Sequence, residues 1–205
     1  MGERITILDY GAGNLASVRL AVEKLGREAL VTSSPEEIVS ATRLIFPGVG
    51  AAPAAMEALR KLALDEALVK YAGTGKPLFG ICLGAQVILD SSEEGDVRCL
   101  GLVRGATRRL AVPAEAKVPQ MGWNAVDFVR DHPLWQGVES GTPFYFVHSY
   151  APAPAENAAA IGRTDYYVTF VSALAQDNIV ACQFHPERSG RVGLKVLENF
   201  LTWNP

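Results

Sequence analysis

Residues 77–86 read Pro77-Leu78-Phe79-Gly80-Ile81-Cys82-Leu83-Gly84-Ala85-Gln86. The apolar run Pro77 to Cys82 predicts a strand, and the residues beyond it predict a helix, so the chain turns sharply at Cys82 with a glycine two positions to either side. An elbow residue of this kind is held in a strained backbone conformation. Neighbours without a Cβ let the turn close and let a substrate approach. A helix that begins just past the cysteine favours negative charge there and is expected to draw the thiol toward a thiolate. The competing reading is a cysteine buried in a well-packed strand, which is the commoner fate of a lone Cys in an apolar run.

Working back toward the N-terminus, strand and helix patterns alternate. Ile5 to Asp9 reads as a strand, closed by Tyr10-Gly11-Ala12-Gly13. Leu15, Val18, Val22 and Leu25 then recur at helical spacing, with Asn14 as cap and Gly26 as stop. Ala29 to Thr32 is a second strand. Ser34-Pro35-Glu36-Glu37 combines a Pro at the first helical position with a capping-box Glu. Leu44 to Phe46 is a third strand, ended by Pro47-Gly48-Val49-Gly50, and one long helix is predicted from about Pro53 to Tyr71. Such alternation is the pattern of a parallel sheet covered on both faces, an α/β fold.

Beyond about Cys99 the runs are shorter and richer in Val and aromatics: Phe144 to Val147, Tyr167 to Val171 and Ile179 to Phe184. These predict antiparallel or mixed additions to the same sheet. Pro152 to Asn157 reads as a loop and Gly193 to Trp203 as a closing helix. His185-Pro186-Glu187 follows the apolar run Ile179 to Phe184, at the edge where open parallel sheets place their sites. Two residues apart in an extended segment share a face, so the imidazole and carboxylate can pair there, with Pro186 opposing a helix. One ring nitrogen then serves the carboxylate and the other can take a thiol proton. A solvated loop is the bland alternative. Pro47 to Gly50 also lies at a strand end, where backbone N–H groups of the glycine-flanked turn, with that of Leu83, can meet a developing oxyanion; a turn that merely needs positive φ explains the same glycines.

Composition narrows the classes. With 205 residues, 49% hydrophobic and 20% charged, the chain suffices for one domain that buries roughly 70 to 75% of its unfolded surface. A net charge of −3 and no long basic run argue against nucleic acid or an anionic membrane surface as partner. Three cysteines do not make a disulfide framework and point to a reducing compartment, the cytoplasm. The start Met1-Gly2-Glu3-Arg4 resembles no signal peptide, and no stretch is apolar enough to span a bilayer.

Taken together, Gly80-Ile81-Cys82-Leu83-Gly84-Ala85-Gln86 and Gln183-Phe184-His185-Pro186-Glu187 resemble the signature pair of class I, triad-type glutamine amidotransferases. Asp9 to Val18 and Pro119-Gln120-Met121-Gly122-Trp123-Asn124 are similar to segments of the glutaminase subunits of imidazole glycerol phosphate synthase, and Phe146-Val147-His148-Ser149-Tyr150 fits as well. The likeness runs over essentially the whole chain. It implies a single type-1 glutamine amidotransferase domain over residues 1–205, with a mostly parallel central sheet. It also implies Cys82 as nucleophile, His185 as general base and acid, and Glu187 as its orienting partner. Val49, Gly50 and Leu83 would form the oxyanion site; Gly48, Gln86, His148, Ser149 and Tyr150 would hold glutamine. No metal or cofactor is implied. Ammonia would pass to a (β/α)8 cyclase subunit of the HisF type in a heterodimer, with Asn14, Met121, Trp123 and Arg188 at the interface. Ala85 and Arg188 stand where the family often has Met and Lys. The first is a packing change, while the second keeps the charge but alters the geometry.

Other readings are weaker. Gly11-x-Gly13-x-x-Ala16 matches a dinucleotide fingerprint, but Val31 and Thr32 stand where an acidic residue is needed. Cys182-x-x-His185 lacks a second pair for zinc, His132 reads as a loop residue, and Arg104, Arg108 and Arg109 read as a solvated face. A glutaminase of anthranilate or pyridoxal phosphate synthesis, and a catalytically silent partner-binding protein of the same fold, remain as alternatives.

Overall fold

The computed structural model describes residues 4–205, so the reading of the start at Met1 to Glu3 falls outside them. In chain order the strands are β1 Ile5–Leu8, β2 Ala29–Thr32, β3 Leu44–Gly48, β4 Leu78–Cys82, β5 Ser91–Ser92, β6 Val97–Arg98, β7 Gly105–Arg109, β8 Gln120–Phe128, β9 Thr142–His148, β10 Tyr150–Pro154, β11 Ala160–Tyr166, β12 Val168–Gln176 and β13 Ile179–Cys182. The helices are α1 Leu15–Lys24, α2 Pro35–Ser40, α3 Ala52–Lys61, α4 Leu64–Ala72, α5 Leu83–Val87 and α6 Gly190–Thr202.

Among the described residues one nine-stranded sheet runs β2-β1-β3-β4-β13-β12-β11-β8-β9. Its first five strands are parallel and the last four continue it antiparallel. Alternation along β3 sorts the core into two layers: Ile45 packs with α1 and α6, while Leu44 and Phe46 pack with α2 to α5. Both faces are therefore covered, as buried parallel strands require. Because β3, β4 and β13 are parallel neighbours, with Gly48 opposite Cys82 and Cys182 opposite Ile81, their carboxyl ends open onto one rim.

Several boundaries differ from expectation. The predicted long helix is two, α3 and α4, broken where Ala63 takes φ 54; its apolar spacing satisfies both pieces, so periodicity alone does not reveal the break. Asn14 occupies the cap position of α1, but its ψ of 57 is not the extended cap geometry and its side chain makes no capping bond,. Ser34 does cap α2, accepting from Glu37 N at 3.2 Å. Pro152 to Pro154 are strand rather than loop: β10 pairs antiparallel with β7 in a separate sheet ordered β10-β7-β5-β6. Tyr167, expected in a strand, is instead the left-handed turn residue (φ 57) between β11 and β12.

Candidate active site

Cys82 sits at the tip of the turn from β4 into α5 with φ 54 and ψ −108, a conformation costly for a residue with a Cβ. The turn closes because its glycines admit backbone contact. A Cβ on Gly84 would run into the Phe46 carbonyl oxygen, and one on Gly80 would stand 3.1 Å from the Gly84 backbone. Gly48 is as crowded, its missing Cβ falling 2.6 Å from the Tyr10 hydroxyl. The helix beyond Cys82 has only five residues.

His185 reaches the same rim from the end of β13. Its Nδ1 lies 2.8 Å from Glu187 Oε1, with both side chains almost wholly buried (4% and 1% exposed). The pairing is not made on an extended strand as expected: Pro186 to Arg188 form a 3-10 turn that brings the carboxylate back beneath the ring. Pro186 starts this turn rather than preventing it, since its fixed φ and missing N–H suit a first helical position. His185 Nε2 closes no hydrogen bond. Burial disfavours the imidazolium, but the Cys82 sulfur and the Glu187 carboxylate more than offset it, and the pKa is pushed up to about 10.

Both groups line one cavity of about 270 Å³. Val49, Gly50, Leu83, Gln86, His148, Ser149 and Tyr150 line it too. Gly48 lies beneath the floor, packed on Leu83 and Gly84, and Glu187 stands behind His185. The carbonyls of Ser149 and Tyr150 are already engaged: the first accepts from Leu110 N, the second from Gln86 Nε2 at 2.9 Å and from His148 Nδ1 at 2.8 Å. His148 is held neutral, burial first and the nearby His185 second lowering its pKa to about 4 against the Tyr150 hydrogen bond.

Four residues were given no role by motif reasoning, although Gln183 and Tyr10 stand inside the motifs themselves. Glu94 supplies the one carboxylate among the described lining residues, its Oε2 accepting from Ala52 N at 2.8 Å. Gln183 Nε2 stands 3.5 Å from Cys82 Sγ. The Tyr10 phenol is pushed well above its ordinary pKa by burial and by the Cys82 sulfur, so it stays protonated. Tyr145 carries the fourth signal, outside the cavity. The Arg188 guanidinium lies 4.2 Å over its ring, and Trp123 packs edge-on at 6.0 Å. Met121 and Trp123 project from β8 at 66% and 55% exposure, whereas Asn14, at the start of α1, stands outside that stack. The Tyr145 backbone is tied to the site: its carbonyl accepts from His185 N at 2.9 Å, and its N–H donates to Ser189 Oγ, which in turn donates to the His185 carbonyl at 2.7 Å.

Cavity size alone misleads. A larger cleft of about 460 Å³ beside α4 contains Cys99, but burial raises that thiol to about 11, with Arg60 opposing in part, so at neutral pH it is no thiolate,.

The family model for class I glutamine amidotransferase matches residues 6–203, so the chain is an enzyme of the glutamine amidotransferase class. Two solved structures share the fold: PurLQS from Thermotoga maritima (TM-score 0.76, 20% identity, 98% of each chain) and a glutamine amidotransferase (TM-score 0.72, 20% identity, 96% of each chain). Sequence relatives are nearer. The imidazole glycerol phosphate synthase subunit HisH of Nitrosococcus oceani is 49% identical over 98% of this chain and 97% of its own. That of Nitrosomonas europaea is 46% identical over 98% and 99%. Within the class, the chain belongs to the family of imidazole glycerol phosphate synthase HisH subunits. No helix among the described residues is long and apolar enough to cross a membrane.

Proposed function

We propose that residues 1–205 act as one glutaminase domain, the subunit of imidazole glycerol phosphate synthase that hydrolyses L-glutamine to glutamate and ammonia. The observation that carries this reading is His185, paired behind with buried Glu187 and with Nε2 uncommitted, lining the same cavity as Cys82. The Cys82 thiolate attacks the carboxamide carbon, and the oxyanion that forms is received by backbone N–H groups from among Val49, Gly50 and Leu83. The His185 imidazolium gives its proton to the amide nitrogen, the C–N bond breaks, and ammonia leaves a glutamyl thioester. Neutral His185 then takes a proton from water; the hydroxide oxygen attacks the thioester, and the C–S bond breaks to return the thiolate and release glutamate. Glu187 stabilises the imidazolium and fixes the tautomer of the neutral ring. Glu94 is matched in charge to the α-ammonium group of glutamine, and Gln86 with the segment His148 to Tyr150 holds the rest.

Ammonia passes to a (β/α)8 cyclase subunit of the HisF type. In that cytoplasmic heterodimer it becomes part of imidazole glycerol phosphate, with AICAR released, in histidine biosynthesis. Met121, Trp123, Arg188 and Asn14 form the docking face, and the packing of Tyr145 against Arg188 and Trp123 supports including it as well. The test is to trap the protein with a glutamine-derived electrophile and map the adduct. Modification of Cys82, and loss of glutamine hydrolysis in Cys82→Ala, is the expected result; hydrolysis retained by that variant would remove Cys82 from the reaction.

A further inference from the structure

Gln183 is fully buried (0% exposed), and its side-chain amide bridges two parts of the site. Nε2 donates toward Cys82 Sγ at 3.5 Å, and Oε1 accepts from Gln86 Nε2 at 2.9 Å. The amide's direction follows from the chemistry of its neighbours. Gln86 Nε2 also lies 2.9 Å from the Tyr150 carbonyl, which can only accept,. The amino end of Gln86 therefore faces both Tyr150 and Gln183, Gln183 must present its oxygen there, and its own amino end must face the sulfur.

We infer that Gln183 is a positioning residue for the nucleophile, a neutral donor that holds the Cys82 sulfur as thiolate in one orientation. This rests on the reading of Cys82 as nucleophile. A neutral amide suits the task because it favours the anion without adding a second cation beside His185. A hydrogen bond to charged sulfur is stronger than one to a thioester sulfur, so the donor also favours the thiolate as leaving group when the thioester is hydrolysed. Because the amide is anchored through Gln86, the residue that lines the glutamine cavity and the residue that holds the sulfur form one relay.

Alkylation of Cys82 by iodoacetamide across a pH series, read as the mass of the Cys82-bearing peptide, measures the thiolate fraction without glutamine. Gln183→Leu removes the donor, and the isosteric Gln183→Glu replaces it with an acceptor while still receiving the Gln86 bond. Both are expected to raise the alkylation midpoint by roughly one pH unit, Glu more than Leu. The accompanying loss of kcat, about tenfold, should shrink as pH rises through the new midpoint. General damage to the fold would not recover in that way. A folded variant with an unshifted midpoint would overturn the inference, and so would failure of both variants to fold, which would assign Gln183 to structure alone. Glutamine hydrolysis surviving in Cys82→Ala would sink the nucleophile reading instead, leaving the effect on sulfur still measurable.

Discussion

His148 lies between the rings of Phe146 and Phe170, at centroid distances of 5.6 and 5.1 Å, with Nδ1 on the Tyr150 carbonyl. Its folded pKa of about 4 is below the ordinary 6.5, so between those values the unfolded chain binds more protons than the folded one. Stability then rises with pH across that window. The contribution is fully present above pH 6.5, is lost as pH falls toward 4, and amounts to about 3 kcal/mol. His132 shifts the same way, so the clean measurement is a difference. Urea unfolding of His148→Phe is expected to show a visibly shallower loss of stability from pH 6.5 to 4 than the parent chain. At this scale the sequence was informative where a residue's type sets its chemistry, as for Cys82, His185 and Glu187. It was silent where a common amide or tyrosine matters through position: nothing in the letter Q tells that Gln183 points at sulfur and Gln86 at a carbonyl.

At the level of elements, strand ends and glycine turns were legible because their signals are local: an apolar run, then residues that only a crowded or left-handed backbone demands. The break at Ala63, the 3-10 turn at Pro186 and the pairing of β10 with β7 were not: periodicity runs unbroken through Ala63, a proline can open a tight turn as readily as oppose a helix, and the β10–β7 pairing joins segments distant in sequence. The end of α6 shows how such a contact works. Arg43, 3% exposed and immediately before β3, donates from Nη1 to the carbonyls of Phe200 and Trp203 at 2.8 and 2.7 Å. It thereby gives the Phe200 carbonyl a second donor beside the Trp203 N–H and pairs the Trp203 carbonyl just past the helix,, and its guanidinium also lies 5.4 Å from the Phe200 ring. Arg43→Met keeps the stem but removes the donors, and should lower unfolding free energy by roughly 3 kcal/mol. Chemical denaturation would show this as a lower midpoint with an unchanged slope.

For the molecule as a whole, the resemblance implied what composition could not, namely the face proposed to dock a second protein. Large side chains as exposed as Met121 and Trp123 have no role in the core of this chain, and Trp and Arg are the types that anchor interfaces. Trp123→Ala is expected to weaken association with the cyclase by about 30-fold or more, corresponding to ~2 kcal/mol. Titration calorimetry checks the affinity, and glutaminase rates with and without the cyclase should show its stimulation fading in parallel. A variant that binds as tightly as the parent would move the interface elsewhere.

The bonds that fasten Tyr145 to both peptide groups of His185 give that face a mechanical meaning. A ring displayed outward and an imidazole displayed inward share one short splint of main chain and the Ser189 hydroxyl. The placing of the imidazole against the sulfur is thus set by the same few bonds that set the tilt of the outer ring's backbone.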